Sequence, residues 1–245
     1  MLELNAIRWT LPDGEEIIRD VSLRIPQGKL TVITGPNGGG KTSLAKLIAG
    51  LAAPAEGRIL LDGTDITGWD VTERARHGVA YAFQQPVRFK GLTVRDLLEL
   101  AAEGPLDEAA LCALLGKVGL CTREYIDRPV DGSLSGGESK RIEIATVLAR
   151  KNARVLVFDE PEAGIDLWSF TSLIETFQTL KKERDSALLV ISHQERILGI
   201  ADNVVVIADG RVRLSGNREI VLPRLLAEEQ QGLCPIEGGN GGARR

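Results

Sequence analysis

The chain has 245 residues, 43% of them apolar and 26% charged, with a formal net charge of −4. That is ordinary globular composition, long enough for a large core that carries an inserted lobe. No global basic field draws it to nucleic acid or anionic lipid, and no apolar run approaches the roughly 18 residues of a membrane span.

The opening "LELNAIRWTL" is strand-like and has no charged-then-apolar leader, so no secretion signal is read and a cytoplasmic location is expected. Turns follow at "PDG" and "PQG". "KLTVITG" is a buried strand running into a Gly-rich loop, and "KTSLAKLIAGL" has helical spacing that ends near Gly50, ahead of Pro54. "GRILLDG" is a short strand closed by the turn signal Asp62-Gly63. "GVAYAFQQP" is another strand, stopped by Pro86, and His77 just before it is read as a surface residue.

From residue 86 to 150 strand signals fade. "TVRDLLELAAEG" predicts an amphipathic helix with Thr93 as N-cap and Asp96 as its partner, and "DEAALCALLGKVGL" is helical too. "ARVLVFDE", "TSLIETFQTLKKE", "SALLVISH", "QERILGIA" and "NVVVIADGRV" then restore strand–helix alternation. Buried Val, Leu and Ile runs alternating with helices predict parallel strands covered by helices. The expected organisation is an α/β domain over 1–225 with a helical lobe at 86–150, and a Gly-rich flexible tail at 226–245. Cys112, Cys121 and Cys234 lack metal-ligand spacing and read as thiols of a reducing cytosol.

"GPNGGGKTS", Gly35 to Ser43, fits the phosphate-loop pattern between a strand and a helix. Gly35, Pro36, Asn37, Gly38, Gly39 and Gly40 let the backbone aim successive N–H groups at phosphate oxygens. Lys41 supplies a point charge, and the Thr42 hydroxyl suits Mg²⁺. Asp159 closes the apolar run "VLVF" and should hold Mg²⁺, directly or through water. Glu160 follows it and can orient or deprotonate the attacking water. A second helix start, "LSGGE", presents Ser135, Gly136, Gly137 and Glu138. Its N–H groups can grip an anion but cannot hold a nucleotide unaided.

"GPNGGGKT", "FQQP", "LSGGE", "VLVFDEP", "AGID" and "SH", in this order over about residues 2–220, resemble the ATP-binding cassette ATPases. The resemblance implies ATP and Mg²⁺ as cofactors, and an α/β cassette core with an N-terminal antiparallel β subdomain and an inserted helical lobe. It also implies a head-to-tail homodimer in which "LSGGE" of one copy closes on the ATP held by the other. Gln84 matches the glutamine that senses Mg²⁺ and water, and His193 the switch histidine at the γ-phosphate. Asp166 matches the loop that crosses the dimer interface. Many cassettes stack adenine on an N-terminal aromatic. Here Trp9 is the candidate, with core packing as its alternative, and Leu11 stands just before "PDG".

Glu138, Lys140, Arg141, Glu143 and Ile144 in "LSGGESKRIEIA" resemble SufC, the cassette ATPase group of Suf iron–sulfur cluster assembly. So do Gly164 in "AGID", "FQQPV" with Gly91 beyond it, and "ERIL" at 195–198. This implies a SufB/SufD-like scaffold as partner. The alternative is the nucleotide-binding subunit of a membrane transporter, with a permease helix seated between Pro86 and Leu92. A regulatory or DNA-maintenance clamp is disfavoured, because the chain has neither a coiled-coil insertion nor a tandem cassette.

Overall fold

The computed structural model describes residues 1–183 and 185–231. Strands β1 (Leu2–Thr10) and β2 (Glu16–Ile25) lead to β3 (Leu30–Thr34) and α1 (Lys41–Ala49). Next come β4 (Glu56–Leu61), β5 (Thr64–Asp65), α2 (Val71–Arg76) and β6 (Val79–Ala82). The lobe holds α3 (Val94–Ala101), α4 (Glu108–Lys117), α5 (Thr122–Tyr125) and α6 (Gly136–Ala149). The chain continues through β7 (Val155–Asp159), α7 (Leu167–Glu183), β8 (Ala187–Ile191) and α8 (Glu195–Ile200). It closes with β9 (Asn203–Ala208), β10 (Arg211–Asn217) and α9 (Arg218–Gln231).

The strands form two sheets. An antiparallel one runs β2-β1-β4-β5, and a six-stranded one runs β10-β9-β3-β8-β7-β6. In the second only β10 is antiparallel. Every residue of β3, β7 and β8 is buried, as continuous apolar runs in a sheet covered on both faces require. Alternation still divides the two cores. Leu188 and Val190 of β8 face the cluster shared with the lobe, and Ala187, Leu189 and Ile191 face the antiparallel sheet and α1. The expected α/β cassette architecture, with its antiparallel subdomain and helical lobe, is the one observed.

Local signals match where chemistry acts at short range. Thr93 and Asp96 form the expected capping box on α3. His77 is exposed and lies against the Trp69 ring. Three features differ from the sequence expectation or extend it. Asp70 and Glu73 cap α2, whose buried Arg74 donates to the Leu47 and Ile48 carbonyls at the end of α1. "NVVVIADGRV" is not one strand but a hairpin, turning at Asp209 and Gly210 with φ of 52° and 71°. Helix α9 takes in the first six residues of the stretch assigned to the tail, and residues 232–245, Cys234 included, lie outside the described residues. Among the described residues no helix is long and apolar enough to cross a membrane.

Candidate functional site: a phosphate cradle and two acids

The buried strand β3 delivers the chain into the loop at Gly35, whose φ is 135°. A Cβ there would lie 2.0 Å from the Ile207 carbonyl oxygen, so only glycine lets the loop pack on the end of β9. Helix α1 then begins at Gly40 in a left-handed conformation. No side chain caps it and no acid stands in its first turn, so its leading N–H groups have no competing anion from α1 itself. They border a cavity of about 350 Å³ lined by Ile17, Asn37, Gly38, Gly40–Ser43, Gln84 and Glu160. Lys41 is its sole lining cation among the described residues. The Lys41 ammonium donates to the carbonyls of Gly35 and Pro36, 2.8 Å each. Burial pulls its pKa down, against the opposing pull of Glu160 and Asp159.

The two acids diverge. Asp159, fully buried at the end of β7, accepts from the Thr42 hydroxyl at 3.2 Å on one oxygen and from Tyr81 at 3.0 Å on the other. Burial raises its pKa, and these two bonds oppose the rise. Glu160 has φ of 45°, a left-handed backbone unusual for a non-glycine residue and of the kind found at working sites. Its carboxylate accepts from Gln84 Nε2 at 2.8 Å. Thr42, Asp159 and the Gln84 amide offer the hard oxygen donors Mg²⁺ takes, and Mg²⁺ is usually held by one or two carboxylates together with substrate phosphates. No group of three His, Cys, Asp or Glu residues able to hold a metal exists among the described residues. The donor set of Thr42, Asp159 and Gln84 fits a Mg²⁺ ion shared with a nucleotide's phosphates.

Ser135 caps α6, and its hydroxyl accepts from the Glu138 N–H at 3.2 Å while Glu138 accepts from the Ser135 N–H at 2.7 Å. Glu138 also accepts from Tyr125 at 2.5 Å and pairs with Arg128. The Tyr125 bond, then the Ser135 N–H, pull its pKa down to about 2. A Cβ on Gly137 would lie 2.6 Å from the Gly164 carbonyl oxygen. Arg141 donates to Ser169 Oγ at 2.8 Å, and Asp166 accepts from the backbone N–H groups of Trp168 and Ser169, each at 3.0 Å. Residues 135–138 and the 164–169 segment are thus one packed unit. None of Ser135 to Glu138 lines the cavity at Lys41 of their own chain.

His193 is exposed and borders a neighbouring cavity with Thr34 and Pro36, not the one at Lys41. Trp9 pairs with Ile18 across β1–β2 and packs half-buried on the core. It does not line the phosphate cavity, and the apolar residue that does is Ile17. Sequence reasoning missed Tyr81, which reaches Asp159 across the adjacent parallel strands β6 and β7. It noticed Lys140 and Glu143 only as family marks. Fully buried Lys140 donates to the carbonyls of Phe83, Gln84 and Asp159, and Glu143 accepts from the Phe83 N–H at 2.8 Å. A Lys-x-x-Glu pair on an otherwise apolar helix face was the available signal.

The family model for the ABC transporter matches residues 18–163. An ABC transporter ATP-binding protein of Methanocaldococcus jannaschii is 39% identical over 212 residues, spanning 83% of this chain and 84% of that one. The lipopolysaccharide export system ATP-binding protein LptB of Acidithiobacillus ferridurans is 35% identical over 213 residues, 84% of this chain and 86% of its own. Among solved structures, cbiO1 of Clostridium perfringens, part of the ABC transporter complex cbiONQ, superposes with a TM-score of 0.74 at 28% identity, covering 95% of each chain. A dimeric bacterial ABC transporter cassette shares the fold with a TM-score of 0.80 at 24% identity, covering 89% of this chain and 99% of its own. With its phosphate loop, paired acids and these relatives, the chain belongs to the ABC transporter family of cassette ATPases, which bind ATP with Mg²⁺ and hydrolyse it.

Proposed function

We propose that the chain is the nucleotide-binding subunit of an ABC membrane transporter, working on the cytoplasmic side as a head-to-tail pair around ATP. The observation that carries this reading is the pair of relatives reported above, 39% and 35% identical and each matched across more than four-fifths of both chains, one named an ABC transporter ATP-binding protein and the other the ATP-binding protein of an export system. A surface suited to a permease helix lies between Gln84 and α3, where Val87 and Phe89 are exposed beside Arg88 and Lys90. The Suf reading rests on short segments in four places, and neither of these relatives bears a Suf name. A SufB/SufD-like scaffold is therefore the competing partner, not the proposed one.

In this reading Gly35 to Ser43 cradle the phosphates and Lys41 leaves its loop carbonyls for the terminal phosphate. Thr42, Asp159 and Gln84 hold Mg²⁺, which neutralises phosphate charge. Glu160, freed from Gln84, takes the proton of the attacking water. Ser135 to Glu138 of the second copy complete the γ-phosphate contacts, with His193 and Asp166 at the shared boundary. Glu160→Gln should keep ATP binding, slow hydrolysis at least ~10²-fold, and so let the ATP-bound pair accumulate. The partner is tested by purifying the tagged chain from detergent-solubilised cells of its host and identifying what accompanies it. A multi-span membrane protein is expected. Recovery with a soluble scaffold, and loss of cluster-enzyme activity on deletion, would overturn the transporter reading.

A further inference from the structure

Two large apolar side chains stand in water at the first turn of α7. Leu167 is 67% exposed and Trp168 is 84% exposed. An indole is an expensive group to leave in water and a frequent anchor of protein interfaces. Elsewhere on the same chain an open cavity of about 1000 Å³ lies between α8, α9 and the β9–β10 edge. Leu198, Leu222, Leu225 and Leu226 line it, together with Pro36 and His193. Glu195 also lines it and offers an acceptor for an indole N–H.

We propose that in the ATP-bound pair Trp168 of each copy enters this cavity on the other, making an apolar lock beside each nucleotide. The inference rests on the head-to-tail reading and adds to it a contact with no nucleotide in it. The placement follows from the packed unit described above. Gly137 abuts Gly164 and Arg141 holds Ser169, so the first turn of α7 moves with Ser135 and Gly136. When Ser135 of one copy meets the cradle of the other, Trp168 is carried to the border of that cradle. The cavity reaches that border, since Gly35 and Pro36 belong to both the phosphate loop and the cavity wall. Two-fold symmetry makes the contact twice, residue i on j and j on i.

The test uses the full chain carrying Glu160→Gln with Mg-ATP. Sedimentation equilibrium measures the pair, and acrylamide quenching measures access to the emission lost in Trp168→Phe. The expected result is a pair in which that emission is protected, and which Trp168→Ala and Leu226→Glu each weaken by about tenfold or more, as for an interface anchor. Because Trp168 touches little of its own chain, its replacement should leave the thermal midpoint unchanged, and a fall there would disqualify that variant. Leu226→Glu then reads the cavity side alone. If the pair forms but Trp168 quenches as freely as before, the lock is overturned and the head-to-tail reading stands. If no pair forms with ATP, both fall.

Discussion

Helices α1 and α6 both start with glycines, yet their first turns are completed in opposite ways. At α1 the capping residue is Gly40, no side chain caps the first turn and no acid stands in it. At α6 the cap is Ser135, and Glu138 folds back on it, already held by Tyr125 and Arg128. The first terminus is an open set of donors. The second carries its own anion. This explains how two similar glycine-rich motifs can serve one nucleotide from two sides. In the proposed reading helix α1 binds a phosphate chain by itself. Helix α6 adds only the contacts left over by its internal acid, the Ser135 hydroxyl and the glycine N–H groups.

The sharpest way to break this contrast is Lys41→Ala. It removes the cation from the open terminus and leaves Glu160 facing it. ATP affinity measured by calorimetry should fall by about 10²-fold or more, the scale of lost charged hydrogen bonds. Near-normal binding would mean that α1 is not the nucleotide site. Tyr81→Phe acts one step back, on the carboxylate facing Thr42. It leaves one buried Asp159 oxygen without its donor, so the Mg²⁺ concentration supporting nucleotide binding should rise about tenfold, as with other groups that orient a metal ligand. Binding in EDTA should not change, and a parallel loss there would reduce Tyr81 to packing.

At α6 the effects are smaller. Ser135→Ala should cost about 1 kcal/mol of stability as a lost cap, with ATP affinity of the single chain untouched. Glu138 adds a pH dependence. Its folded pKa of about 2 lies below the ordinary 4.5, so its stabilising contribution is complete above the ordinary value. That contribution fades as pH falls toward about 2. Glu138→Gln should flatten this acid limb in thermal melts between pH 5 and pH 2. An unaltered limb would assign acid sensitivity to other carboxylates, Asp166 among them, whose pKa the Ser169 bonds also lower.

Much of this was legible in the sequence because it is local. The phosphate loop, the Thr93 cap and the acid pair after β7 are each set by residues within a few positions of one another. Apart from one local turn, what escaped depended on register between distant segments. Asp62-Gly63 and Asp209-Gly210 are the same turn, with φ values of 49° and 82° in one and 52° and 71° in the other. Both carry the same local signal, since the apolar run ends at Ala208 and Asp209-Gly210 follows it as a turn pair, but the sequence reading used only the first. Tyr81 meets Asp159 from 78 positions away, a pairing fixed by the β6–β7 alignment and not by spacing. Ile17 lines the phosphate cavity because β2 packs against the phosphate loop near Gly40, a contact that no local spacing reveals.

Lys140 acts as a linkage rod. Beside its ion pair with Glu143 at 3.6 Å, its three other acceptors are backbone carbonyls, so it responds to where Phe83, Gln84 and Asp159 lie and not to what side chains they carry. A buried ammonium stripped of these partners is strongly destabilised, so the bonds favour letting go together over stretching one by one. Through these bonds the Gln84 segment and the end of β7 are tied to one side chain of α6. In a head-to-tail pair, each copy would offer its neighbour a helix whose position reports the state of its own acids, giving the two ATP sites a mechanical means of keeping step.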